Sequence, residues 1–124
     1  MKILVFESDR FRPYLPDDCQ VNPNVLGFEL AIWLSKTLAE RGLITSYPVS
    51  EDWGWFLEKT EGDSEYMICC SGNKTETASY EWRIFVKQHK RMFRRTQVQA
   101  EDALCDQLAA ILRDEDLKVQ VEEG

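Results

Sequence analysis

Glu51-Asp52-Trp53-Gly54-Trp55-Phe56 sets two carboxylates directly against three aromatic side chains divided by a single glycine. Read as extended chain, the stretch places Trp53 and Trp55 on one face of a sheet and Gly54 and Phe56 on the other. Two roles fit that pattern. As a binding platform, Trp53 and Trp55 offer flat apolar surfaces while Glu51 and Asp52 accept hydrogen bonds or attract a cation. Gly54 then permits close approach of a backbone or ligand. As core, the tryptophans are buried and the carboxylates simply end a turn after Pro48.

Reading outward, Glu61-Gly62-Asp63-Ser64 is a turn, so strands at about 53–58 and 65–71 form a hairpin. Further strands are expected at about 44–49 and 81–90. In the latter, Trp82, Ile84 and Val86 alternate with Arg83, Phe85 and Lys87, which buries one face. The small polar run from Ser71 to Ser79 reads as a long connection. Residues 2–7 form a first strand with apolar side chains on both faces, Ile3 and Val5 against Leu4 and Phe6, as an interior strand requires. Residues 8–21, with Pro13, Pro16, Asp17 and Asp18, form a polar connection long enough to be a functional element.

Two helices complete the order. Asn22 before Pro23 matches an N-cap followed by proline at the first helical position. Leu26, Leu30, Leu34 and Leu38 recur every four residues, with Phe28, Ile32 and Trp33 widening the stripe. Gly42 suits a left-handed C-cap with Leu43 packing back on the helix. Thr96-Gln97-Val98-Gln99 fits a capping box for the second helix, whose Leu104, Leu108, Ile111 and Leu112 make one narrow stripe. Leu117, Val119 and Val121 alternate as a last short strand. The order β-α-β-β-β-β-α-β predicts a single α+β domain over residues 1–124. Its mainly antiparallel sheet has five to six strands, with two helices packed on one face. Those helices need a sheet face to cover, so the tryptophan rings are expected to turn inward and the carboxylates to meet a partner.

The composition fits a globular chain: 44% hydrophobic and 11% aromatic over 124 residues. The net charge of −7 opposes non-specific association with nucleic acid or anionic membrane. The N-terminal apolar run is too short for a signal peptide and no stretch is long enough to span a bilayer, so a cytoplasmic location is expected. Cys19, Cys69, Cys70 and Cys105 show no Cys-x-x-Cys spacing and read as free, mostly buried thiols; Cys69 and Cys70, being adjacent, face opposite ways on a strand.

A second constellation is basic. Arg83, Lys87, Lys90, Arg91, Arg94 and Arg95 lie in thirteen residues without a carboxylate, and the remaining cations face 22 carboxylates across the chain. With Tyr80, His89 and Phe93 interleaved, Lys87, His89, Lys90, Arg91, Arg94 and Arg95 form a candidate anion or docking patch. The alternative is that these cations pair with acidic strands and the acidic second helix. No signature of nucleic-acid recognition is present.

Catalytic chemistry finds little support. His89 is the only histidine and sits among cations that lower its pKa. No Gly-x-Ser-x-Gly elbow, complete Walker motif or metal-ligand spacing occurs, so no cofactor or metal is assigned. The expected function is a small acidic protein-binding domain, an adaptor, inhibitor or homodimer without enzymatic activity. It would use Glu51, Asp52, Trp53 and Trp55 as one patch and the basic cluster as an opposing one. The alternative is a small-molecule binder or enzyme with a pocket between the 8–21 loop and the Trp53–Trp55 strand.

Overall fold

The computed structural model describes residues 1–14, 25–88 and 94–124, with the side chains of 94–98 outside the description. The elements are β1 (Lys2–Glu7), α1 (Phe28–Glu40), β2 (Val49–Glu51), β3 (Gly54–Glu61), β4 (Ser64–Lys74), β5 (Tyr80–Gln88), α2 (Arg94–Asp114) and β6 (Gln120–Glu123). The predicted α+β class and element order are those observed. All six strands pair antiparallel in the spatial order β2-β3-β4-β5-β1-β6. Both helices pack on one face, α1 over β3 and β4, α2 over β5 and β1.

The period of two assigns the faces. Leu4 and Phe6, Trp55 and Leu57, Ile68 and Cys70, and Trp82, Ile84 and Val86 point to the helices and are buried there with Leu30, Leu34, Leu38, Leu104, Leu108 and Leu112. Pairing aligns them across the sheet: Trp55 with Cys70, Cys70 with Ile84, and Ile84 with Leu4. Trp82 is 0% exposed and lies at the centre of an aromatic group. It stacks on Tyr80 at 5.8 Å and meets Phe11 edge-on at 6.0 Å, while Phe11 packs on Trp33 of α1 at 4.9 Å. The Trp82 indole N–H donates to the Ser8 carbonyl at 3.0 Å.

Both helices end in the same way. Leu43 donates its N–H to the Leu38 carbonyl at 2.8 Å and Gly42 to Ala39 at 3.0 Å, with Gly42 at φ 83°. This is the cap predicted at Gly42. At the end of α2, Leu117 donates to Leu112 and Asp116 to Arg113, both at 3.1 Å, with Asp116 at φ 65° in the place glycine usually takes. Arg41 bridges the two ends, its guanidinium 3.0 Å from Asp114 and 3.7 Å from Glu115. Arg10 donates to the Glu115 carbonyl at 2.6 Å, a cation where a helix C-terminus favours one.

Several boundaries differ from the sequence reading, each for a physical reason. The first helix begins at Phe28, not Pro23, because Leu26 is held in a β-bridge to Gly72 and Gly27 turns at φ 134°. Asn22 and Pro23 themselves lie outside the described residues. The expected strand at 44–49 shrinks to Val49–Glu51; before it, Ser46 is held to Glu58 by two 2.9 Å bonds, one of them through its own hydroxyl. Strand β4 runs on through Gly72-Asn73-Lys74, which had read as loop, leaving Thr75–Ser79 as the connection to β5. The second helix starts at Arg94, two residues before Thr96, so Thr96 is not its cap. Leu117 and Val119 are buried as their alternation predicted, but Leu117 serves the helix cap and ladder pairing begins only at Gln120.

The extension of β4 depends on Gly72. It pairs with Trp82, and a Cβ built on Gly72 would fall inside the van der Waals envelope of the Trp82 ring carbons Cε3 and Cζ3. Gly72→Ala is therefore expected to lower stability by about 2–3 kcal/mol through overpacking, measured by urea unfolding. Adding Trp82→Phe should relieve part of that loss, so the double variant costs less than the two single losses added.

Candidate functional site

The two helices cover one face of the sheet; among the described residues no helix lies on the other. That open face carries an unbroken row of side chains across five strands: Val49, Phe56, Cys69, Phe85 and Ile3, with Glu122 following on β6. A neighbouring row holds Glu58, Met67 and Lys87. On the other side Ser71, Arg83, Val5 and Gln120 are aligned, with Gly54 paired to Glu51 at the β2 end. An apolar band thus crosses the sheet with charged side chains along both margins.

The structure separates the two tryptophans that the sequence placed together. Asp52 and Trp53 form a two-residue turn between Glu51 and Gly54, so the strand phase restarts at Gly54. Trp55 points to the helices, 9% exposed, with its ring 5.0 Å from Phe28. Trp53 goes the other way. Its ring lies 5.7 Å from Phe85 and remains 38% exposed, so it reaches across β4 from the β2–β3 turn to β5. Gly54 leaves that path clear, since it puts no side chain on the face. A Cβ there would also collide with the Cys70 carbonyl of β4. On the same face, which no described helix covers, Cys69 is fully buried and Phe56 nearly so.

Glu51 and Asp52 are exposed at the margin of this surface. Of the basic cluster, Lys87 is exposed with its ammonium 5.5 Å above the Phe85 ring. Lys87 therefore shares the face of Trp53 and does not oppose it. Burial raises the Cys69 thiol, and the thiol also senses both charges, Lys87 favouring its ionised form and Glu51 disfavouring it. Arg83 is half-buried and held to Glu81 at 3.3 Å on the same strand. His89, Lys90 and Arg91 lie outside the described residues, and Arg94 and Arg95 contribute only their place in the first turn of α2.

The sequence reading passed over Phe56, Cys69, Phe85 and Val5 as site residues. Their signal was present: apolar side chains occur on both faces of β1, β3 and β5, although only one face receives the helices. The pocket expected between the 8–21 loop and the Trp53–Trp55 strand falls partly on undescribed residues. In the described part, Tyr14 approaches Phe28 at 6.5 Å and Phe28 packs on Trp55. A shallow groove of about 380 Å³ lies elsewhere, between α1 and residues 44–47, lined by Lys36, Ala39, Ile44 and Tyr47. Among the described residues no group of three or more His, Cys, Asp or Glu side chains is placed to hold a metal ion, and no helix is long and apolar enough to cross a membrane.

The described thiols are poor nucleophiles. Burial pushes Cys69 up to about 12 and Cys105 up to about 11, and it raises Cys70 as well. Because the folded thiols hold their protons above the ordinary value of 9.0, the unfolded chain ionises first as pH rises. On a Cys19→Ser background, stability should be full below about pH 9 and then fall by up to about 1.4 kcal/mol per pH unit for each buried thiol. Urea midpoints that stay constant from about pH 8 to about pH 10 would contradict this assignment.

The two tryptophans should respond differently to truncation. Trp55→Ala is expected to cost about 3–5 kcal/mol, as for a buried aromatic, whereas Trp53→Ala should cost under about 1.5 kcal/mol. Iodide should quench the Trp53 emission selectively; equal losses and equal quenching for both positions would refute the assignment of faces.

Compared with known proteins, the chain matches no family model, no curated protein sequence and no solved structure.

Proposed function

We propose that this chain is a non-enzymatic protein-binding domain whose recognition surface is the open face of the sheet. Trp53 is its anchor, and Glu51, Asp52 and Lys87 form its charged margin. The observation that carries the reading is Trp53 itself, a large ring laid over Phe85 and still 38% exposed. A tryptophan on an apolar bed, ringed by polar groups, is the arrangement from which protein interfaces draw most of their binding energy. Val49, 40% exposed, extends the same apolar band toward the sheet edge. The row across five strands gives the face a breadth that suits another protein surface better than a small molecule.

A photo-crosslinking residue at Asp52 tests this in cells. Discrete protein adducts are expected from Asp52, lost when Trp53→Ala is added, and absent when the same group is placed at the exposed Glu40 of α1. Adducts from both positions alike, or from neither, would remove the reading.

A further inference from the structure

We infer that the open face docks on a second copy of this chain, face to face, about a two-fold axis running along β4. This rests on the protein-binding reading above and names the partner. The ground is a near-symmetry of the face about its own middle strand. In the row through Cys69, the residues to either side match in kind: Phe56 and Phe85 next to it, Val49 and Ile3 beyond them. In the row through Met67, the residues to either side are opposite in charge: Glu58 on β3 and Lys87 on β5, both exposed.

A two-fold axis along β4 places each β5 side chain over the β3 side chain of the same row in the other copy. The Trp53 ring on Phe85 then faces the partner's Phe56, Ile3 meets the partner's Val49, and Lys87 meets the partner's Glu58. Arg83 falls over the partner's Gly54, beside the partner's Glu51. Ile3 and Val49 are both apolar and Lys87 and Glu58 are of opposite sign, as an isologous interface requires, while Val5 falls over the partner's Glu51. Tilting the axis slightly from the strand direction accommodates the usual angle of about 30° between packed sheets. On β4, Met67 and Ser71 flank the buried Cys69 along the axis, while the exposed Glu65 on the same face would meet its own copy at one end, where the tilt of the axis sets the two carboxylates apart. The Trp53 ring, lying on Phe85, is enclosed between the two sheets. An acidic chain of net charge −7 would otherwise repel its copy; Lys87 and Arg83 on this face offset that repulsion locally.

Sedimentation equilibrium of the full chain from about 5 to about 500 μM tests the proposal. A species of twice 14.5 kDa is expected to form as concentration rises. Glu58→Lys and Lys87→Glu lie on exposed positions and should leave the thermal melt of the monomer unchanged while each weakens the dimer at least about tenfold. Mixing the two single variants should restore association, because each then meets its complement in the other chain. Rescue by mixing separates a contact between copies from one within a chain. A monomer throughout, or a dimer indifferent to both charge reversals, would overturn the proposal. If a monomer still yields adducts to another protein from Asp52, the self-association fails and the protein-binding reading stands; with no adducts, both fail.

Discussion

Trp82 fills the space that a side chain at position 72 would need, stacks on Tyr80, takes Phe11 against its edge and gives its indole proton to the Ser8 carbonyl. Each contact fixes a different part of the chain. The fit to Gly72 sets the register of β5 on β4, and the bond to Ser8 holds the end of β1 and the turn that follows it. Phe11 carries the contact on to Trp33 and so to α1, while Arg10, stacked 5.2 Å over Trp33, closes the C-terminus of α2. A buried indole without a partner for its N–H would cost about 1–3 kcal/mol. Half-buried Ser8 therefore serves the core through its backbone carbonyl.

With the helices committed to one face by that core, the other face is left to manage its apolar side chains in another way. Folding Trp53 back from a turn is one answer, since a single side chain reaches from the β2–β3 turn to Phe85 of β5. The solution is partial, because the covering ring is itself substantially exposed. Short edges complete the picture: β2 has three residues and β6 four, the latter rich in glutamate, so pairing strand to strand with other chains is discouraged at both sides of the sheet. Association is thereby directed to the face and away from the edges.

Much of the architecture was legible because it rests on periodicities. The alternation of Trp82, Ile84 and Val86 named the buried face of β5, the leucines of α1 and α2 named their stripes, and Gly42 named its cap. The errors arose where a tertiary contact overrode a local pattern. Leu26 belongs to the leucine series of α1 yet pairs with Gly72, and Gly72-Asn73 has a turn composition yet continues a strand because Trp82 packs there. Of the two tryptophans expected to turn inward, Trp55 does and Trp53 does not, for the same kind of reason. Alternation is a sound guide within a strand, but Asp52-Trp53 is a turn, and a turn resets the phase, so Trp53 and Trp55 parted to opposite faces. No pattern within the hairpin reveals that Trp53 would land on Phe85, which lies more than thirty residues away in sequence.

The position of β1 between β5 and β6 has a consequence for how the chain is made. Ile3 pairs with Phe85 and Leu4 with Val121, so β1 has all its hydrogen-bonding partners far downstream in the chain. During synthesis the meander from β2 to β5 can pair strand by strand as it emerges, while Ile3-Leu4-Val5-Phe6 waits unpaired. Closing β1 into its slot is then a late, long-range event, slow in the way that non-local pairing is slow. Until it happens, the apolar run Ile3-Leu4-Val5-Phe6 stands unpaired, the kind of exposed edge from which aggregation starts.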